Sequence, residues 1–237
     1  MRVLITLCGR GGSKGIPGKN IKLINGKALI GYSIDAAKKF ASKYNADIAV
    51  TTDSIEIRKV AEQFGIVTQY LRPAELATDS VGKMGVLNHV LLYEEQNRGV
   101  KYDFLLDLDI TSPLRSLNDL EKGFELLLQD ENALNLFSVN NANRNPYFNM
   151  VEKQENGYYG LIKKGVFKTR QSSPPVYDMN ASFYFFKRKY FDMGIESSIS
   201  ERSLVYVMPH ICFDLDHPAD FDYMEYLLSA NKLDFDL

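Results

Sequence analysis

The stretch that most constrains this chain is Leu7-Cys8-Gly9-Arg10-Gly11-Gly12-Ser13-Lys14-Gly15-Ile16-Pro17-Gly18-Lys19-Asn20. It follows an apolar run, Val3 to Leu7, that reads as a buried first strand, and it precedes an amphipathic helical pattern. It holds five glycines and three cations, Arg10, Lys14 and Lys19. Glycines let backbone approach a ligand closely, and their exposed N–H groups cradle anions. So many cations in one short loop imply an anion of several charges, a polyphosphate. A plain basic surface loop would explain the charge but not the glycines directly after a strand. Two phosphate motifs are excluded. A Walker loop needs Ser or Thr after its Gly-Lys, where this chain has Asn20, and its first glycine would fall on Ser13. A dinucleotide fingerprint starting at Gly9-Arg10-Gly11 needs glycine where Lys14 stands.

Strand and helix patterns alternate beyond the loop. Ala28 to Phe40 has apolar residues at helical spacing and lysines near its end. Ala46 to Val50 reads as a strand leading to Thr52-Asp53. Ser54 caps a helix from Ile55 to Phe64, which Gly65 stops. Val67 to Leu71 reads as a third strand, entering Arg72-Pro73-Ala74-Glu75-Leu76-Ala77-Thr78-Asp79. Helix signals resume near Ser80 and run to Asn97. Tyr102 to Leu108 is a strongly apolar strand, followed by a Thr111-Ser112-Pro113 turn and a helix to about Leu128, with Ser116 as N-cap and Asp119 beyond it. This alternation predicts an α/β fold with a mainly parallel sheet and helices on both faces. Ligands then bind beyond the C-terminal strand ends, where the loop at 9–20, Asp53, Arg72 and Asp107/Asp109 would share one rim.

From about Asn140 the texture changes. Phe148–Val151 and Tyr158–Ile162, joined through Asn156-Gly157, read as a hairpin, and a polar, proline-broken stretch follows. Asn180 to Phe186 returns to core-strand character, so 141–178 reads as a β-rich excursion from a single domain, 1–237. Its aromatic content suggests contact with a second copy. Leu204 to Met208 is a last strand, Ile211 to Asp216 an extended segment, and Pro218 to Asn231 a helix with proline in its first turn.

Net charge of -2 carries no global basic field, which argues against nucleic-acid binding. No apolar run approaches the roughly 20 residues that span a bilayer, and no signal-peptide layout opens the chain, so no membrane partner is expected. The two cysteines, Cys8 and Cys212, form neither a disulfide framework nor a zinc motif and suit a reducing cytoplasm.

Asp214-Leu215-Asp216 sets two carboxylates on one face if extended. Hard oxygen ligands beside a polyphosphate are what Mg²⁺ needs; Asp216 also stands where it would cap the last helix. Asp107-Leu108-Asp109 repeats the spacing at another strand end, and there a metal, a sugar hydroxyl and a cap remain equal readings. His89, His210 and His217 share no spacing, and no Ser-His-Asp or Cys-His arrangement occurs.

Taken together, Arg10-Gly-Gly-Ser-Lys-Gly-Ile-Pro-Gly-Lys19-Asn20, Thr52-Asp53, Arg72-Pro-Ala-Glu-Leu-Ala-Thr-Asp79, Thr111-Ser-Pro-Leu-Arg115, Arg170-Gln171, Asn180-Ala181 and Asp214-Leu-Asp216 resemble, in order and over nearly the whole length, the acylneuraminate cytidylyltransferases, the CMP-sialic acid synthetases. The resemblance implies a Rossmann-like nucleotide-diphospho-sugar transferase fold with a small dimerisation excursion. It implies a homodimer that joins CTP to an acidic nine-carbon 2-keto sugar, giving a CMP-sugar and pyrophosphate. It places Arg10 and Lys19 on the triphosphate, assisted by Gly11, Gly12, Ser13 and Lys14. Asn20 and Arg72 fall on the cytidine, and Lys83, where such enzymes often carry serine, on the nucleotide. Asp214 and Asp216 would bind Mg²⁺, with Asp214 aiding deprotonation of the attacking hydroxyl. Asp109, Arg170 and Gln171 would meet the sugar. Asp109 stands where sialic-acid enzymes typically have glutamine and resembles the acidic, metal-binding position of 3-deoxy-manno-octulosonate cytidylyltransferases, so sialic acid, legionaminic or pseudaminic acid and an octulosonate all remain in view. Two readings lie outside this reaction: a glycosyltransferase using Asp107/Asp109 for its metal, and a nucleotide-binding module without turnover.

Overall fold

The computed structural model describes residues 1–12, 15–78 and 81–237. In chain order the elements are β1 (Val3–Cys8), β2 (Leu23–Ile24), β3 (Lys27–Ala28), α1 (Leu29–Ala41), β4 (Ala46–Thr51), α2 (Ile55–Gln63), α3 (Lys83–Arg98), β5 (Phe104–Asp109), α4 (Leu117–Gln129), β6 (Asn135–Asn141), β7 (Val151–Lys153), β8 (Tyr159–Leu161), β9 (Tyr177–Lys187), α5 (Arg188–Asp192), β10 (Ser203–Val207) and α6 (Pro218–Ser229). Six strands form one sheet in the order β10-β6-β9-β5-β1-β4. Pairing is parallel except at β9, which runs against both neighbours. Alternate residues of β1 enter opposite layers: Val3, Ile5 and Leu7 pack beneath α1 and α4, while Leu4 joins the layer under α3 and α5. Burial on both faces explains the unbroken apolar run.

Register places the site. Cys8 pairs with Thr51 on one side and Asp109 on the other. The C-terminal ends of β4, β1 and β5 therefore lie abreast, and the loops leaving them converge.

Several local signals act as expected. The Ser54 side chain accepts from Ile57 N–H, and Ser116 and Asp119 form a reciprocal capping box on α4. Gly65 takes a left-handed conformation, φ 74°, after α2. The hairpin β7–β8 turns through Asn156-Gly157, but its first strand begins at Val151, where the expected one ended, and its second lies within the expected Tyr158–Ile162.

Other expectations are corrected. Residues 67–71 are not a strand. Burial alternates there, with Thr68, Tyr70 and Arg72 inside and Val67 and Leu71 exposed. The extended chain has the period of a strand but joins no ladder, and Arg72 N–H bonds the Thr52 carbonyl. The helix expected from Ser80 begins at Lys83; Ser80 lies outside the described residues. The segment 211–216 is extended without strand pairing, and α6 is capped by His217 with Asp220, so Asp216 is not the cap. Strand β6 has no counterpart among the expected elements, because its asparagines and serine disguise a buried run that pairs with β9 and β10. The β2–β3 hairpin likewise turns on Asn25-Gly26, both at positive φ, an Asn-Gly signal set among apolar residues.

One buried cluster ties the chain's end to the sheet. Asp119 accepts from Ser116, from the Tyr206 hydroxyl at 3.0 Å and faces His210 Nε2 at 2.8 Å, while His210 stacks on Phe235 at 3.5 Å. Burial disfavours the imidazolium, but Asp119, the Ile211 carbonyl and Asp234 outweigh it and raise the His210 pKa above 6.5. Burial likewise opposes the Asp119 carboxylate, and His210 and Ser116 outweigh it and lower its pKa. A histidine with a raised folded pKa contributes stability that is full below its unfolded pKa and lost as pH rises through the folded value. The thermal midpoint should therefore decline as pH rises above 6.5. His210→Gln should flatten that slope; an unchanged slope in melts across pH would contradict the assignment. The Asp119 contribution is lost at the acid end instead.

Candidate active site

Two adjoining cavities open at the rim above β4, β1 and β5, of about 280 and 350 Å³. Cys8 and Arg10 line both, so they share a wall. The first is lined further by Gly15, Lys19, Asn20, Thr111 and Asp216. The second is walled by Arg72, Leu76, Thr78, Val81, Lys83 and Asp109.

The glycine loop is held from within. Gly9 N–H bonds the Thr51 carbonyl at 3.1 Å, and Asn20 Nδ2 bonds the Arg10 carbonyl at 3.0 Å. A side chain at Gly9 would come within 2.9 Å of Ile110 and 3.3 Å of Asn20, so glycine lets the loop close over both. Asn20 is buried and shapes the loop as well as lining the cavity. Gly11 N–H points to Asp53 Oδ1 at 2.8 Å. Ser13 and Lys14 lie outside the described residues.

The two ends of the chain meet here. Lys19 Nζ is 3.1 Å from Asp216 Oδ1. Leu215 N–H bonds the Thr111 carbonyl at 2.8 Å, so the core residue between the two acids pins them to the turn after β5. Asp214 Oδ1 is buried and has no hydrogen-bond partner among the described residues. Burial, then Asp109 and Asp216, push the Asp214 pKa up, against Thr111 and Lys19. Among the described residues no group of three His, Cys, Asp or Glu side chains is placed to hold a metal. Asp216 lines the first cavity, and Asp214 stands two residues before it on the same extended segment.

In the second cavity, Arg72 Nε bonds Thr51 Oγ1 at 3.1 Å and its Nη2 bonds the Thr51 carbonyl at 2.7 Å. These bonds orient a planar guanidinium on the cavity wall. Lys83 lines the same cavity. Its ammonium is 2.8 Å from Asp107 Oδ2 and 3.3 Å from Asp109 Oδ2. It is paired with carboxylates on the wall of this cavity. The same contact sets an ammonium ion against both Asp107 and Asp109. Burial disfavours the Lys83 charge, but Asp107 and Asp109 outweigh it and raise its pKa well above 10.5. Cys8 sits beside Asp107 at 3.4 Å, and burial pushes its thiol up.

Arg170 and Gln171 are not brought to either cavity within one chain. Both are exposed on a short 3-10 turn of the excursion, and Arg170 donates to the Ala142 carbonyl. Thr51, Thr111 and Arg115 escaped sequence reasoning as site supports. Arg115 is fully buried and donates to Ser33 Oγ and to the Asp109 and Ser112 carbonyls, bracing the turn; burial lowers its pKa to about 10. Its place in Thr-Ser-Pro-Leu-Arg was visible, but its partners lie far away in sequence.

A doubly wound sheet carrying a cationic glycine loop and a nearby carboxylate pair defines a nucleotidyltransferase. The chain belongs to the cytidylyltransferase family, whose sequence model matches residues 5–235. The CMP-N,N'-diacetyllegionaminic acid synthase of Campylobacter jejuni is 41% identical over 98% of this chain and 97% of its own length. The post-translational flagellin modification protein B of Campylobacter coli matches at the same identity over the same shares, 98% and 97%. The solved structure of CMP:2-keto-3-deoxy-manno-octonic acid synthetase with CTP superposes with a TM-score of 0.68, covering 98% of this chain and 100% of that one at 16% identity. At that identity the likeness speaks for fold. The chain is thus a CTP-dependent cytidylyltransferase. Among the described residues no helix is long and apolar enough to cross a membrane.

Proposed function

We propose that this enzyme joins CTP to a nine-carbon 2-keto sugar acid of the legionaminic type, releasing pyrophosphate. The observation that carries the reading is the convergence of Arg10, Lys19 and Asp216 on one cavity that shares a wall with the Arg72 cavity. The first accommodates the triphosphate and the second the cytidine. The sugar follows the printed activity of the relative at 41% identity.

The anomeric hydroxyl oxygen attacks the α-phosphorus, the α–β bridging bond breaks, and pyrophosphate leaves. Such transfers need positioning and charge neutralisation more than covalent catalysis. Arg10 and Lys19 neutralise charge growing on the α-phosphoryl oxygens and the leaving pyrophosphate, with Lys14 and the amides of Gly12 and Ser13 assisting, while the Gly11 N–H, expected on the triphosphate, is instead held by Asp53. Asp214 takes the hydroxyl proton. Asp214 and Asp216 fit Mg²⁺: one offers a buried oxygen with no hydrogen-bond partner among the described residues, the other a largely exposed carboxylate that Lys19 meets on one oxygen. Bound there, Mg²⁺ would supply Lewis-acid stabilisation of phosphate charge.

The active form is a homodimer through the excursion. Its exposed apolar side chains include Tyr158, Tyr159 and Val166, at 76%, 69% and 96% exposure, a patch that calls for a partner surface. Arg170 and Gln171 then meet the sugar in the partner's site. Two free cysteines agree with a cytoplasmic setting. The test is pyrophosphate release with CTP, Mg²⁺ and a panel of 2-keto sugar acids. Release with a legionaminic-type acid is expected; silence with every acid would refute the reading.

A further inference from the structure

Lys83 opens α3, the end of a helix where the macrodipole and unpaired N–H groups favour anions and disfavour a cation. The first turn holds no acidic residue, and the Gly82 cap offers no side chain. A lysine in so adverse a place needs a compensating partner. It has two, Asp107 and Asp109, and its ammonium also lies 4.3 Å from the centroid of the Tyr184 ring.

The two carboxylates differ. Asp107 is fully buried; its Oδ1 accepts from Thr6 Oγ1 at 2.8 Å and Cys8 Sγ at 3.4 Å, and its Oδ2 faces Lys83. Asp109 reaches the second cavity with 20% of its side chain exposed. Thr111 N–H and Oγ1, each at 2.9 Å, occupy both lone pairs of Asp109 Oδ1. Lys83 takes one lone pair of Oδ2, and by the acceptor capacity of a carboxylate one more remains. Asp109 lines a cavity whose wall also carries Leu76 and Val81, where a carboxylate acceptor suits a hydroxyl donor. Two uncompensated carboxylates would repel a polyanionic nucleotide; Lys83 offsets one of those charges.

We propose that Lys83 is a positioning residue: anchored on buried Asp107, it holds Asp109 in one orientation as the acceptor for a hydroxyl group of bound substrate. This rests on the CTP reading above. The hydroxyl belongs either to the ribose or to the acceptor sugar.

The test compares Lys83→Met, Asp109→Asn and the double variant Lys83→Met/Asp107→Asn, by calorimetric CTP binding, both KM values and thermal melts. Lys83→Met strands a buried carboxylate and lowers the midpoint; adding Asp107→Asn removes that charge and restores it, so stability separates from positioning. A KM raised about tenfold or more, the scale of a lost hydrogen bond to a charged group, should persist in the double variant and recur in Asp109→Asn, with kcat within about threefold. If the ribose is the donor, CTP binding weakens and the preference for CTP over deoxy-CTP collapses. If the sugar is the donor, CTP binding holds and the sugar KM rises. A double variant with both KM values restored would overturn the proposal, because Lys83 would then serve only to neutralise Asp107. An unsubstituted chain that fails to bind CTP would instead overturn the CTP reading, and this proposal with it.

Discussion

Arg10→Ala should lower kcat by about 10²–10³-fold, the range seen when one preorganised donor to developing charge is removed. Arg10 lines both cavities at their shared wall, where a phosphate chain and a nucleoside would meet. Its charge matters most when the α–β bond breaks and negative charge shifts to the leaving pyrophosphate. The loss should therefore fall on kcat and kcat/KM together, with KM for CTP changing less. The loop should stay closed over the site, because it is tied through the Arg10 backbone carbonyl, which Asn20 grips whatever the side chain. Arg10→Lys should recover part of the rate, since a point charge replaces a forked one. An unfolded variant would make Arg10 a structural residue, and an unchanged kcat would remove it from the reaction.

Asp216→Ala should be at least as damaging to turnover, by about 10³-fold or more, since it removes half of the hard-ligand pair. Its residual activity should respond weakly to Mg²⁺. The thermal midpoint should barely move. The Asp216 side chain is 62% exposed and its ion pair with Lys19 is partly solvated, a class of contact worth about 0–1 kcal/mol. Losing that pair also frees Lys19, so CTP binding without metal should not weaken. Full activity with an ordinary Mg²⁺ titration would reject the metal assignment.

What was legible in the sequence was local. The glycine loop, the Ser54 and Ser116 caps and the Asn156-Gly157 turn each depend on residues within a few positions. The rim followed from alternation alone, because parallel strands send their C-terminal ends one way. What escaped depends on partners distant in sequence. Residues 66–72 carry a strand's alternation, but whether a ladder forms depends on a neighbouring strand that is not there. Strand β6 is ordered by β9 and β10, and no local signal announces that β9 runs antiparallel. The Arg72–Thr51 and Arg115–Ser33 bonds span distances that no motif encodes. Lys83 is the sharpest instance. The resemblance places it on the nucleotide, and only the fold reveals the two carboxylates from β5 that it meets. For the same reason Asp107-Leu108-Asp109 and Asp214-Leu215-Asp216, alike in sequence, part ways in space. One pair faces an ammonium ion, and in the other Asp216 meets Lys19 while Asp214 Oδ1 is buried with no hydrogen-bond partner among the described residues.

The central claim is that a sugar's anomeric oxygen displaces pyrophosphate from CTP at this rim. Heavy oxygen placed in the anomeric hydroxyl of a legionaminic-type acid tests it most directly, with products weighed after one turnover. The label should appear in the CMP-sugar, in the oxygen bridging sugar and phosphorus, and the pyrophosphate should be unlabelled. Unlabelled CMP-sugar, or label in the pyrophosphate, would contradict attack by that oxygen on the α-phosphorus.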